Sequence, residues 1–539
     1  MNQATKAFFI EIVKRKYGRP PLYIFVLLFL IVFIMVLPLI HLVIRGAEAS
    51  YNDWRLLFSI RTFEIFGRSF LLMMTVTFFS FLIAMPLAWI TVRTNLALKK
   101  IWTVLISLPL VIPSFVGAFL FDSVLSPKGL LQKLLEILFG IEKIPEIYGL
   151  FGATLVLVLL TYPYLFLTIR SALSNLDSSR EDIARSLGHS FFSRFIHVIF
   201  PQLKPAIIAG SLLVALYVLS DFGVVSLMKY NTFTWIIYQQ YESVVERSAS
   251  AVLSLVLVLT AIIIITLEYR TRGNEKYYRV GRGASREPRL IKLGKWQFPI
   301  SLFVVFIVVL ALFLPISVLV FWFVRGISFG EPILLLWEAT YNSIFLSIVT
   351  AGITIFLSFC MAIVLVRHKM LINKFLEPIS FTGYALPGIV VGISLVFFGI
   401  HYGLFLYQTK YLLIIAYIIL FFPVALGTIR SSLLQISPMI IESGYLLKHN
   451  YLGVMVKIIL PIMKSGLFMS GAMVFLLTMK ELPATLILGP IGMKTLSMAV
   501  WSASSEAFFA QAAAPALMLI IITILPLSIL LKRNNRFLS

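Results

Sequence analysis

Two carboxylates set in apolar surroundings are the residues of this 539-residue chain best suited to act on something charged. Asp221 stands in the stretch VLSDFGVV at 218–225 and Glu481 in TMKELPAT at 478–485, so Glu481 follows Asp221 by 260 positions. Ionisable groups in such surroundings are costly unless paired or facing water, and they often mark a path. Two carboxylates related by a repeat would suit passage of a hard cation, for which oxygen ligands are appropriate. A structural use is equally open: Lys480 would neutralise Glu481, and Asp221 would bond backbone freed beside Gly223. Other chemistry is poorly represented. The six histidines are scattered without ligand spacing, and the single cysteine, Cys360, excludes a disulfide framework or a cysteine-based metal site. GPIGMKT at 489–495 lacks the spacing of a phosphate-binding loop, and neither an HExxH pair nor a nucleophile elbow occurs. No catalytic residues are expected, and the residues do not define a metal site.

The elements that position these carboxylates must lie in a membrane. With 60% hydrophobic residues, 13% charged and a mean hydropathy of +0.99, the chain has more apolar surface than a soluble core can bury. The expected fold is all-α and polytopic, about 12 transmembrane helices in two parallel six-helix repeats. A net charge of +22 would suggest nucleic acid in a soluble protein; here the basic residues sit in short loops and set topology. Segment 1–20 carries Lys6, Lys14, Arg15, Lys16 and Arg19 and reads as a cytoplasmic N-terminus. Residues 21–268 form a first half, 269–298 a basic cytoplasmic linker, 299–531 a second half and 532–539 a cytoplasmic tail. Apolar runs near 101–121 and 377–400 read as single spans. Ser69, Arg93 and Pro113 match Ser343, Arg367 and Pro387 at an offset of 274, whereas the offset is 260 from Pro163 onward; the 14 extra residues fall between Pro127 and Pro145. Both halves begin and end on one side, so the repeat axis runs along the membrane normal.

A second matched pair lies in the loops 182–205 and 442–465. Asp182, Ala184, Gly188 and Pro201 in the first correspond to Glu442, Gly444, Lys448 and Pro461 in the second. Each loop begins at an acid, which the helix dipole favours, and carries a proline stop. Phe191, Phe192 and Phe195 would form an apolar ridge for a groove on a partner. A helix lying on the headgroups would account for one such loop, but not for the matched duplication. The acid, two small residues, the glycine and the Ile-x-Leu-Pro ending resemble the EAA loop of binding-protein-dependent ABC importer permeases. Lys448 departs from the pattern; if a positive φ is needed there, lysine costs about 1–2 kcal/mol, or Asn450 takes the turn.

The segments after the loops, 219–243 and 479–501, look like those of fused ferric-iron permeases, and the resemblance covers essentially the whole chain. It implies a type I importer permease in the bacterial inner membrane, served by an extracytoplasmic substrate-binding protein and two copies of a cytoplasmic ATP-binding subunit. ATP and Mg would then belong to that partner, with no cofactor held by this chain. The docking residues implied are Asp182, Ala184, Gly188, Phe191, Phe195, Pro201, Glu442, Gly444 and Pro461, and the candidate path residues Asp221 and Glu481. Fused thiamine permeases are built alike, so thiamine or another small solute is the alternative cargo. An ion-coupled secondary transporter also uses two six-span halves but needs no docking loops.

Overall fold

The computed structural model describes residues 22–176, 179–242, 247–271, 290–331, 336–368, 370–447 and 450–536. The N-terminal basic segment, most of the linker, Lys448 and His449 lie outside the described residues. Within them the chain is helical, as it must be where lipid offers no partner for a free N–H or C=O. Eleven helices are long and apolar enough to cross a membrane, or 12 if a bent pair counts as one span.

That bent pair, Asn373–Ala385 and Gly388–His401, turns by 107°. The run 377–400 is therefore broken into two helices, and 101–121 divides likewise, into Lys99–Ser107, a short 3-10 turn and Ser114–Leu125. Pro113 and Pro387 sit at the breaks with ψ of 150° and 147°, extended backbone that starts the next helix and cannot continue the last. The insertion in the first half holds its own helix, Leu130–Phe139. Gln132 ties its loop, accepting from the Lys128 N–H at 2.7 Å and donating to the Glu142 carbonyl at 2.5 Å.

The chain divides into two compact units, and neither is simply one half of the sequence. One unit comprises Met1–Ala47 and Trp337–Thr495, the other Glu48–Leu336 and Leu496–Ser539. In the first, Trp337–Arg367, Lys410–Leu434 and Leu460–Met479 pack on one another. The helix Leu22–Glu48 joins them through His41, whose Nδ1 lies 2.9 Å from the Ser394 hydroxyl, and through Arg45, stacked 4.4 Å over Phe397. In the second unit the equivalent trio is Ile60–Arg93, Leu150–Asn175 and Phe200–Ser220. Ser80 and Thr161 join two of these across 3.3 Å, and the buried Tyr162 hydroxyl donates to the Ile106 carbonyl at 3.0 Å. Leu314–Ser328 and Phe509–Arg536 pack together in this unit; the Trp322 ring lies 5.3 Å from Phe509 and donates its N–H to Ser123.

Candidate functional site

Each loop that the sequence singles out is a short helix, a turn and the start of a long helix. In the first copy Ser179–Ser186 carries Glu181 and Asp182 in its first turn, at the positive end of the helix dipole. It stops at Gly188, whose φ is +82°. The His189 N–H bonds the Ala184 carbonyl at 3.1 Å and the Gly188 N–H bonds Arg185 at 3.0 Å, the paired closure that wants glycine at this position. Ser190 then caps Phe191–Arg194 by accepting from the Ser193 N–H. In the second copy Pro438–Leu446 is followed by Asn450, which caps Tyr451–Val454 by accepting from Gly453 at 2.7 Å. Asn450 has φ −73° and ψ 174°, so it does not supply the left-handed turn; its side-chain oxygen serves as a cap instead.

Both copies then pass through one π turn, Phe195–Ile199 and Met455–Ile459, immediately before the prolines. The Phe200 N–H reaches back to Phe195 and that of Leu460 to Met455. Pro201 and Pro461 have no N–H, and a proline ring clashes with the carbonyl four residues back. One extra residue in the turn moves that carbonyl away. The same device precedes Pro315, at Val309–Phe313, so it is a local answer to proline rather than a feature of docking.

The small residues have a steric cause. Ala184 is buried, and a Cβ on Gly444 would run into Ile458 and stand 3.3 Å from Val454. The short helix thus crosses the following one at a distance that only Ala or Gly allows. Phe191 and Phe195 each meet the edge of Trp89, at 5.8 Å and 5.4 Å between ring centroids. Phe192, 70% exposed, is the most open of the three, and Phe191 keeps half of its surface exposed. The Glu442 side chain lies outside the described residues.

Sequence reasoning missed the arginines that hold these segments. Arg93, buried, pairs with Glu181 at 2.9 Å, and its counterpart Arg367 donates to the carbonyls of Leu433 and Ile436 at 3.1 Å and 2.9 Å. Their match at the 274 offset was the available signal, read only as topology.

Asp221 and Glu481 occupy matched breaks. Asp221 ends Phe200–Ser220 and accepts from the Val224 N–H at 2.9 Å, while the Ser114 hydroxyl also bonds its carboxylate. Its carbonyl takes the Thr234 hydroxyl at 2.6 Å. Glu481 follows Leu460–Met479, accepts from the Ala484 N–H at 2.9 Å, and its carbonyl takes the Thr485 hydroxyl at 2.7 Å. Ser114 corresponds to Gly388 at the 274 offset, and a Cβ on Gly388 would meet the Glu481 carboxylate. The longer acid faces the smaller residue, so both copies fill one volume with a carboxylate at the start of a helix, Ser114–Leu125 or Gly388–His401. Asp221 thus has the backbone-bonding use that the sequence left open, and Glu481 bonds backbone in the same way. Among the described residues no three His, Cys, Asp or Glu side chains gather into a metal site.

A helical polytopic chain, with duplicated helix–turn–helix segments and broken helices closed by carboxylates bonded to backbone, is of the class of membrane transport subunits. Residues 80–270 and 354–538 each match the family described as binding-protein-dependent transport system inner membrane component, and the chain belongs to it. It is 34% identical over 524 residues to the Fe(3+)-transport system permease protein FbpB 2 of Haemophilus influenzae, covering 95% of this chain and 99% of that one. A ferric transport system permease protein FbpB of Actinobacillus pleuropneumoniae is 24% identical over 71% of this chain and 58% of its own. A probable sulfate transport system permease protein of Marchantia polymorpha is 25% identical over 42% of this chain and 80% of its own.

Proposed function

We propose that this chain is the permease through which an ATP-driven importer moves ferric iron, released by an external binding protein, into the cytoplasm. The observation that carries the cargo is the match along 95% of the chain, through both halves, to a fused Fe(3+) permease. The sulfate permease corresponds to less than half of the chain.

In this reading two copies of an ATP-binding subunit, which hold ATP and Mg, dock on 182–205 and 442–465. The Gly188 turn and the small residues Ala184 and Gly444 give each segment a compact shape, and Phe192 offers the exposed contact of the first. ATP-driven closure of the partner moves the segments, and the long helices that begin at Pro201 and Pro461 carry the movement to the breaks at Asp221 and Glu481. The permease thereby alternates access between the two sides of the membrane, with both termini cytoplasmic. Asp221 and Glu481 supply negative charge beside the path of a hard cation while bonding the breaks closed. The amide variants Asp221→Asn and Glu481→Gln keep an acceptor oxygen for the backbone and lose the charge. Together they should impair uptake while the ATPase still docks; normal uptake would leave the acids with their backbone task alone.

The decisive experiment is purification from native membranes in mild detergent, with mass spectrometry of what accompanies the chain and metal analysis of any soluble carrier. Co-purification of an ATP-binding subunit and an iron-loaded carrier is expected. An iron-free carrier would overturn the cargo, and a lone chain transporting under an ion gradient would overturn the importer. Docking is tested by replacing Gly188 and Pro201: retention of the ATPase on washed membranes should fall, and unchanged retention would refute it.

A further inference from the structure

Arg325 lies near one end of the run Gly294–Ser328. Trp296 and Trp322 stand 26 residues apart on the run Gly294–Ser328, about 39 Å at 1.5 Å per residue, close to the distance between the two headgroup regions of a bilayer. Tryptophan favours those levels. Arg325 follows Trp322 by one turn and therefore lies at the headgroups of the leaflet opposite the basic linker, the side on which arginine is unfavoured by the topology rule.

Two rings hold its guanidinium, Trp322 at 5.0 Å and Phe329 at 5.5 Å. Among the described residues it has no carboxylate partner. Around it runs a shallow, nearly flat groove of about 660 Å³ on one face of Leu314–Ser328, formed by that helix and its end alone: Ser317, Val320, Phe321 and Val324 on one side of Arg325, Ser328 and Phe329 on the other. Ser317 and Ser328 donate their hydroxyls to Leu314 and Val324 of their own helix, at 2.8 Å and 2.9 Å, so the groove is apolar up to the arginine. From Arg325 to Ser317 it descends about 12 Å, most of the depth of one leaflet.

We propose that this groove is a phospholipid site: the headgroup phosphate pairs with Arg325, and an acyl chain lies along Val320, Phe321 and Val324. A planar guanidinium matches phosphate oxygens two at a time. Because the arginine has no acid beside it, a net-negative headgroup such as phosphatidylglycerol is preferred over zwitterionic phosphatidylethanolamine.

The test uses the full chain, reconstituted in bilayers holding equal parts of those two lipids, re-extracted and weighed intact by native mass spectrometry. Bound phosphatidylglycerol should exceed phosphatidylethanolamine in the wild type. In Arg325→Gln it should fall about tenfold, the weight of a charge-assisted hydrogen bond. Arg325→Lys should retain an intermediate amount, and Arg68→Gln the wild-type amount. Equal retention by wild type and Arg325→Gln would overturn the proposal, as would displacement of the lipid by inorganic phosphate, which would make this a site for a free anion. A photoactivatable phosphatidylglycerol applied to the wild type is a readout independent of variant folding: labelling of Leu314–Ser328 supports the site, and labelling spread evenly over the spans refutes it.

Discussion

The segments 182–205 and 442–465 share a backbone plan and differ in what holds them. Both have a short helix, a capped restart, a π turn and a proline in register, with Ser190 and Asn450 in the same capping position. The first is tied by charge, Arg93 reaching Glu181 inside its short helix. Among the described residues the matching arginine makes no such tie: Ile441 stands at the position of Glu181, and Arg367 donates to carbonyls at and just beyond the end of Lys410–Leu434. Instead Gly444 lets its short helix close on Ile458, and Arg430 pairs with Glu377 nearby. One segment is held by a partly buried ion pair and the other by close contact, so charge changes and volume changes should separate them.

The largest effect is expected from Arg93→Ala. It leaves the partly buried Glu181 without its partner and should cost up to about 3 kcal/mol, the low end for breaking a buried pair. Thermal unfolding and ATPase retention should both drop, and retention should drop less for Arg367→Ala, which strands two carbonyls but no charge. Equal losses would erase the distinction. Next is Gly444→Ala, whose added methyl meets Ile458. A cost of about 1–3 kcal/mol is expected for such overpacking, and Ile458→Val should recover part of it. Failure of that rescue would mean the helices are not held by their closeness.

Gly188→Ala ranks third. Nothing stands within 4 Å of the site a Cβ would take, so the cost is that of the backbone alone. At φ +82° it should be about 1–2 kcal/mol. A melting temperature equal to that of the wild type would show that the turn tolerates a side chain, and the contrast with Lys448 in the second copy would lose its meaning.

What could be read from the sequence was whatever depended on spacing along it. Pro201 and Pro461, the small residues Ala184 and Gly444 and the acids recur at an offset of 260, and each has a local reason that a single stretch contains. What depended on approach through space was not legible. Trp89 covers Phe191 and Phe195 from more than a hundred positions away, and nothing in either stretch announces it. The breaks at Pro113 and Pro387 were hidden because both sides of each are apolar, and hydropathy does not register direction. The exchange of Ser114 with Asp221 for Gly388 with Glu481 needs two offsets read together, 274 for the small partner and 260 for the acid. Asn450 misled because asparagine serves both left-handed turns and caps; the Gly453 N–H three residues on decides for the cap.

The smallest effect on stability, and the most informative about function, is expected at the aromatic residues of the first segment. Phe191 and Phe195 each meet Trp89 edge-on, an arrangement worth about 1 kcal/mol beyond area burial. Alanine at either should therefore lower the melting temperature. Phe192 has no ring contact of this kind among those described and is largely exposed, so Phe192→Ala should change stability by less than about 0.5 kcal/mol. If this ring fills a partner groove, the same substitution should weaken ATPase retention by about tenfold or more, as truncation of a buried aromatic anchor does. A stable Phe192→Ala protein that holds its ATPase normally would move the contact to the second segment, where close packing rather than an exposed ring shapes the surface.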